Sequence, residues 1–192
     1  MSAASLSATL DRVSRVWTLV AVTALYGFFL TSIMPQQAQD SAGYAGDWGG
    51  PDQHLFYTPA ELYTHIPAWS EAGRRDYIEF RLGWDIGWAL TYTLWLVTAT
   101  SLALRGAFPA GHPQRLLNLP ALLPGLLDLA ENVAGIALVA NADTRLDLLA
   151  WLAAGLTATK WITLVGAHVI LVYALGKAIT RAIRRRLRAR PT

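Results

Sequence analysis

Long apolar stretches alternate with short polar segments along the chain, and this pattern predicts four membrane-spanning helices. The apolar stretches cover residues 13–34, 84–104, 116–140 and 148–175. Each is long enough for a helix to cross a hydrocarbon layer of about 30 Å, which takes about 20 residues. Because little chain remains, we expect a single integral membrane domain, 1–192. Its predicted fold is an all-α transmembrane four-helix bundle with one sizeable loop.

The loop at 35–81 contains one tract typical of turns and two helix signals. Glycine and small polar residues dominate 41–51, which predicts turns and mobility, not a packed element. At 58–61 a threonine N-cap, a proline and a glutamate three residues after the cap predict a short helix to about Ile66. Ser70 then predicts the start of another helix, continuing directly into the second span.

Composition and charge agree with a membrane protein and orient it. The chain is 54% hydrophobic and 15% charged, whereas a soluble domain carries about 25% charged residues. The segment 177–192 is basic and free of acids, and the loop 35–81 is mainly acidic. The positive-inside rule therefore predicts a multi-pass cell membrane protein with both termini cytoplasmic and the loop outside. We interpret the basic tail as a contact for anionic lipids, not nucleic acid, and the first span as a retained anchor, not a cleaved signal.

Several classes of site are excluded or unsupported by the sequence. The chain has no cysteine, which excludes thiol–disulfide chemistry and thiolate metal sites. A metal site is not predicted, and no nucleophile elbow or phosphate loop is present. The sequence identifies no cofactor, and a bound pigment, quinone or lipid is compatible with it.

Ionisable residues inside two predicted spans mark the candidate site. Asp128, Glu131 and Asn132 have helical spacing and share one face of the third span, and Lys160 lies in the middle of the fourth. A charge at that depth costs about 2.5 to 3.5 kcal/mol, so these groups should pair with each other or face a polar cavity. We expect Lys160 to pair with Asp128 first and with Glu131 second.

Three further polar residues extend the predicted site along its depth. Asp85 lies at the outer mouth of the second span and Tyr92 about two turns deeper. His168 follows Lys160 by two turns on about the same helix face. Together they predict a polar cavity that is open toward the outer side and has Lys160 at its floor. Asp85 has an alternative interpretation as a merely interfacial charge.

The polar string as a whole resembles a pattern in uncharacterised bacterial four-pass membrane proteins. The pattern comprises GRRDY at 73–77, Asp85, Tyr92, DLAEN at 128–132 and Lys160-Trp161. The resemblance covers about 57–160 and implies no activity or cofactor. It implies that Arg74 and Tyr77 belong with the buried acids as ligand-binding candidates, whereas the residues alone favour a solvated turn at 73–75.

Aromatic residues are concentrated on the predicted outer side of the membrane. They comprise Trp48, Trp69, Trp84, Trp88 and Trp151 with Tyr57, Tyr63 and Tyr77. An interfacial aromatic belt is the ordinary interpretation, and an aromatic-lined pocket is the functional alternative.

Three functions are compatible with the buried charges, besides a purely structural lock between helices. The first is an intramembrane enzyme acting on an apolar or lipid-like substrate, with Asp128 and Glu131 as proton donor and acceptor and Lys160 as their electrostatic partner. Tyr92 and Asn132 then position the substrate. The second is a proton-coupled carrier or carrier subunit. The third is a non-catalytic partner that stabilises or assembles other membrane proteins through its outer loop. An oligomer is also compatible with the sequence.

Overall fold

The protein is all-α, as its hydropathy pattern predicts. The structure, a computed structural model, describes residues 2–188, and no strand occurs among them. Four helical stretches are long and apolar enough to cross a membrane: Val16–Trp48, Glu71–Ala107, Pro113–Ala140 and Asp147–Arg188. Each of the four predicted spans therefore corresponds to one of these stretches. Every stretch is longer than its predicted span, although the first begins at Val16 and not at residue 13. The end of the predicted basic tail, including Arg190, lies outside the described residues.

A separate helix precedes the first span. Helix α1 (Ala3–Val13) begins at Ser2, whose hydroxyl accepts a hydrogen bond from the backbone N–H of Ser5. The chain then turns at 14–15, and helix α2 (Val16–Phe28) begins. The predicted first span, 13–34, therefore includes the last residue of α1 and this turn, which do not belong to α2. A short amphipathic helix next to a polar turn carries little hydropathy signal, so the break is not visible in the pattern.

The first span continues well past its predicted end. A π-helical turn, Phe29–Ile33, joins α2 to helix α3 (Met34–Ala45), and the wider turn precedes Pro35, whose ring cannot fit a regular α-helix interior. The prediction of an unpacked tract at 41–51 is therefore wrong for its first half. Two short 3₁₀ turns, at 46–48 and 51–53, follow.

The helix signals within the loop are confirmed. Helix α4 (Pro59–His65) begins at Thr58 with a complete capping box to Glu61 and ends before a 3₁₀ turn that contains Pro67. Helix α5 (Glu71–Leu82) is capped by Ser70 and leads into helix α6 (Trp84–Ala107) through a break at Gly83. The loop is thus largely helical, and its coil is confined to short connections.

The third span changes its helix type along its length. Its first part, Pro113–Leu122, is a 3₁₀ helix that includes Pro120, and helix α7 (Leu123–Ala140) follows with Pro124 in its first turn. Helix α8 (Asp147–Arg188) is continuous over 42 residues. At about 1.5 Å per residue it is longer than a bilayer is thick.

Helix α6 lies at the centre of the packing. It contacts α2, α7 and α8, and α7 also packs along α8. One apolar cluster joins the loop to α7 and α8; it includes Leu62, Ile66, Tyr77, Leu138 and Ala150. A second cluster joins α6, the 3₁₀ segment and α8; it includes Leu96, Leu104, Ala121, Leu171 and Ala174. We call the two ends of the molecule the loop end, which carries α4, and the basic end, which carries α1.

Candidate functional site

A cavity of about 380 Å³ lies between the two apolar clusters. Helices α2, α3, α5, α6, α7 and α8 and the connection at 50–53 contribute to its wall. The charged residues of its lining are Asp52, Arg81, Asp85, Asp128 and Lys160. Polar groups at this depth are costly in a membrane protein, and here they are gathered around one space.

The first charged cluster joins α7 to α8. Lys160 donates to Asp128 over 3.1 Å and to Glu131 at close range, and all three side chains are buried. Both predicted pairs are therefore present. Thr157, one turn before Lys160, donates to the other oxygen of Glu131, and Tyr92 donates to Asp128 over 2.9 Å. We call Lys160 with Asp128 and Glu131 the lysine cluster.

The second charged cluster is centred on Arg81, at the end of α5. Its guanidinium donates over 2.6 Å to Asp85, one turn further along the chain, and also forms a close ion pair with Asp52. It donates to the side-chain oxygen of Asn132 over 3.2 Å and lies 4.8 Å from the ring centre of Tyr77. We call Arg81 with Asp52 and Asp85 the arginine cluster. Asn132 on α7 links this cluster to the helix that carries the lysine cluster.

Each cluster has one cation between two carboxyls, but the carboxyls differ in access to the cavity. Asp85 and Asp128 line it, whereas Glu131 and Asn132 lie behind the wall. The predicted roles of Glu131 in proton transfer and of Asn132 in positioning a substrate therefore have no direct support from the lining of this cavity. Positions three and four residues after Asp128 point toward α8 and the arginine cluster, because a helix face is wide and each neighbouring helix takes a different part of it.

Asp52 belongs to the 3₁₀ turn Pro51–Gln53 and connects the loop to the cavity. Burial opposes its ionisation, but the adjacent Arg81 guanidinium outweighs burial, so the pKa of Asp52 lies below its usual value. Gly49, with φ of 71°, and Gly46, with φ of 59°, permit the two sharp bends that bring this turn over the cavity. The loop is thus fastened to the site by an ionised carboxylate.

Aromatic side chains form much of the remaining wall. Tyr26 on α2 stacks between Trp88 and Trp95 of α6, with ring centres 5.0 and 5.5 Å apart. Trp88 also meets the ring of Tyr92, and the three α6 aromatics and Tyr26 all line the cavity. Of the aromatic residues predicted for the outer side, Trp88 and Tyr77 line the cavity, so the alternative of an aromatic-lined pocket fits these two.

The other predicted site residues divide into two groups. Tyr77 and His168 line the cavity. Tyr77 is packed so tightly on α7 that a Cβ at Gly135 would come within 2.6 Å of its hydroxyl oxygen, whereas His168 is exposed and bonds within its own helix. Arg74 does not join them: it binds Asp143 over 2.8 Å and the carbonyl of Pro67, away from the cavity. Residues 73–75 lie inside α5, so neither the ligand role nor the solvated turn is confirmed.

Two charged residues at the site were absent from the sequence prediction. Arg81 could have been found, because its spacing of four residues from Asp85 is that of a helical ion pair. Asp52 gave no such signal, since it lies in a glycine-rich connection far along the chain from its partner. Among residues 2–188 no group of three or more His, Asp or Glu side chains is placed to hold a metal ion.

No family model, curated protein or solved structure matches the chain.

Proposed function

We propose that the protein is an integral membrane enzyme that binds a lipid-like substrate in this cavity and acts on its polar end by acid–base chemistry. The observation that supports this most directly is Asp128, a buried carboxylate that lines the cavity and accepts hydrogen bonds from Tyr92 and Lys160. A carboxyl group held in fixed geometry beside a hydroxyl donor is suited to proton transfer.

In this proposal, each residue around Asp128 has a separate role. Asp128 exchanges a proton with the substrate, and the hydroxyl of Tyr92, 2.9 Å away, donates to the carboxylate and orients it. Lys160 balances the charge of Asp128 and Glu131. Glu131, held by Thr157 behind the wall, acts through Lys160 and not on the substrate. Asp85 is the second carboxyl that the substrate can reach.

The orientation that we propose places the basic end in the cytoplasm. Arg105 and Arg115 at this end bind Asp11 of α1, and Arg181 donates to the carbonyl of Ala107, so these cations are clustered. The mainly acidic segment 35–81 contains α4 and therefore marks the opposite, loop end. Such a charge asymmetry is that of a protein with both termini inside.

A carrier is less well supported by the interior of the molecule. Between the cavity and the basic end, Leu104, Leu171 and Ala174 are packed together with little exposure. Alternating access needs a second path toward that side. An assembly partner, for its part, needs no internal cavity. The charged residues gathered around one cavity therefore favour an enzyme over both alternatives.

The experiment that tests this function measures changes in lipid composition. Purified wild-type protein is reconstituted in vesicles of total bacterial lipid extract, and mass spectrometry records which lipid masses disappear and which appear. We expect one lipid class to change with the wild type. The Asp128→Asn variant should slow this change by about a hundredfold or more, because acid–base groups contribute roughly 10²- to 10⁴-fold.

A matched control is Asp147→Asn, an exposed aspartate at the start of α8 that forms an ion pair with Arg145. This variant should convert the lipid at the wild-type rate. Thermal unfolding of each variant shows that it is folded. An unchanged lipid profile with folded wild-type protein contradicts the enzymatic proposal.

A further inference from the structure

The charges of the two clusters do not balance. Four carboxyls, from Asp52, Asp85, Asp128 and Glu131, face only two cationic side chains, Arg81 and Lys160. All but Asp52 lie in or directly beside the spans, where an uncompensated charge is costly. The site therefore has room for additional positive charge from a ligand or from bound protons.

The unbalanced carboxyls are accessible from the cavity. Asp85 and Asp128 both line it, next to the stacked rings of Trp88 and Tyr26. The faces of aromatic rings attract cations by about 0.5 to 2 kcal/mol, most strongly where water is excluded. Carboxylates beside aromatic rings form a surface that favours a positively charged group over an uncharged one.

The wall also contains a polar atom without a partner. The Nε of Arg81 is buried and donates no hydrogen bond within residues 2–188, and this side chain, which is 7% exposed, lines the cavity. Leaving a buried donor unpaired costs about 1 to 3 kcal/mol. This N–H is available to an acceptor, such as an oxygen atom that a ligand carries beside its positive group.

The cavity reaches the side of the molecule between its first and last spans. Tyr26 on α2 and Met34 on α3 line one side, and Leu164 and His168 on α8 line the other, yet neither α2 nor α3 packs closely on α8. An apolar groove continues from Leu164 and His168 along α8 to Val172. A hydrocarbon chain in the groove can thus enter from the bilayer while its polar end remains in the cavity.

We propose that the ligand is a cationic amphiphile, with its positive head group between Asp85 and Asp128 and its chain in the groove along α8. This inference rests on the proposed function and adds to it the charge of the substrate. An anionic head group would meet two carboxylates, and an uncharged one would leave them unbalanced.

Three probes with the same dodecyl chain and a terminal bromine test the charge: trimethylammonium, alcohol and phosphate. Bromine quenches tryptophan fluorescence, and the cavity contains Trp88, Trp95 and Trp161. Quenching is measured in nanodiscs for the wild type, for the double variant Asp85→Asn/Asp128→Asn and for Asp147→Asn. Far-UV circular dichroism shows that each variant is folded.

We expect the wild type and Asp147→Asn to bind the ammonium probe about tenfold more tightly than the alcohol, and the phosphate most weakly. In the double variant, ammonium and alcohol should bind with similar affinity. Equal affinities in the wild type overturn the proposal and assign the excess charge to protons. A preference that persists in the double variant also overturns it, because the selectivity then comes from groups other than Asp85 and Asp128. In both cases, saturable binding of the alcohol probe still supports the proposed lipid-binding site. Absence of saturable binding of any probe overturns the lipid site and this inference together.

Discussion

The lysine and arginine clusters have the same composition, one cation between two carboxyls, but they are built from different parts of the chain. In the lysine cluster all three residues belong to two packed helices, with Asp128 and Glu131 on α7 and Lys160 on α8. In the arginine cluster Asp85 begins α6, but Asp52 comes from a 3₁₀ turn in the connection between α3 and α4.

This difference indicates different roles for the two clusters. The lysine cluster can separate only if two long helices move apart. The arginine cluster can lose Asp52 by a movement of the loop alone, because the flanking glycines and short turns have few regular hydrogen bonds. We infer that the lysine cluster stabilises the packing of α7 on α8 and positions the acid–base groups. The arginine cluster attaches the segment that contains Asp52 over the cavity. The experiments below test this distinction.

Replacing the central lysine should have the largest effect. Lys160→Met leaves Asp128 and Glu131 buried next to each other without a cation. We expect the free energy of unfolding to fall by roughly 3 to 5 kcal/mol, the cost of breaking a buried ion pair from one side. Reversible unfolding in mixed micelles measures the change.

The lysine prediction has a control and a rescue. Lys177→Met, on the same helix but exposed and near Tyr173, should change stability little. The triple variant Lys160→Met/Asp128→Asn/Glu131→Gln removes all three charges and should regain most of the lost stability. If the triple variant is as unstable as Lys160→Met, packing by the lysine stem, and not its charge, accounts for the loss.

Replacing the central arginine should cost less. In Arg81→Met, Asp52 can turn to water with its loop, so only Asp85 is left buried without its cation. We expect a loss of about 2 kcal/mol and faster proteolysis within 49–58. Arg75→Met is the matched control, since Arg75 is an exposed residue of the same helix whose ion pair with Glu71 is 3.6 Å long. Unchanged cleavage of the loop in Arg81→Met contradicts the fastening role.

Acid should release the arginine cluster at Asp52. Because the pKa of Asp52 in the folded protein lies below its unfolded value, its stabilising contribution is present above the unfolded pKa of about 3.9. The contribution is lost as the pH falls through the lower, folded pKa. We therefore expect hydrogen exchange in 49–58 to accelerate below about pH 4 while exchange in 153–164 changes less. In Asp52→Asn the loop should exchange rapidly at neutral pH already, with no further acceleration due to this residue.

The different origins of the two clusters, packed helices in one and an irregular connection in the other, explain how much of the site could be predicted from the sequence. Buried charges inside apolar helices are conspicuous, and helical periodicity relates Asp128 to Glu131, so the lysine cluster follows from the pattern. The arginine cluster depends on where a connection of irregular backbone folds, and no local pattern places Asp52 beside Arg81. The spans and the capping box at Thr58 are likewise local features, whereas the helical course of 41–45 depends on packing against α5.

The ion pair between Arg74 and Asp143 provides the smallest expected effect and a reference for both clusters. It also joins two segments distant in sequence, with a distance of 2.8 Å, but Asp143 is 78% exposed. The Arg74 guanidinium lowers the pKa of Asp143 through hydrogen bonds, yet water and salt screen an exposed pair. Arg74→Met should therefore lower the Tm less than Arg81→Met and leave proteolysis of 49–58 and binding of the ammonium probe unchanged. A larger effect on the probe than that of Arg81→Met would place Arg74 in the ligand site after all, and the distinction between buried clusters and surface pairs would fail.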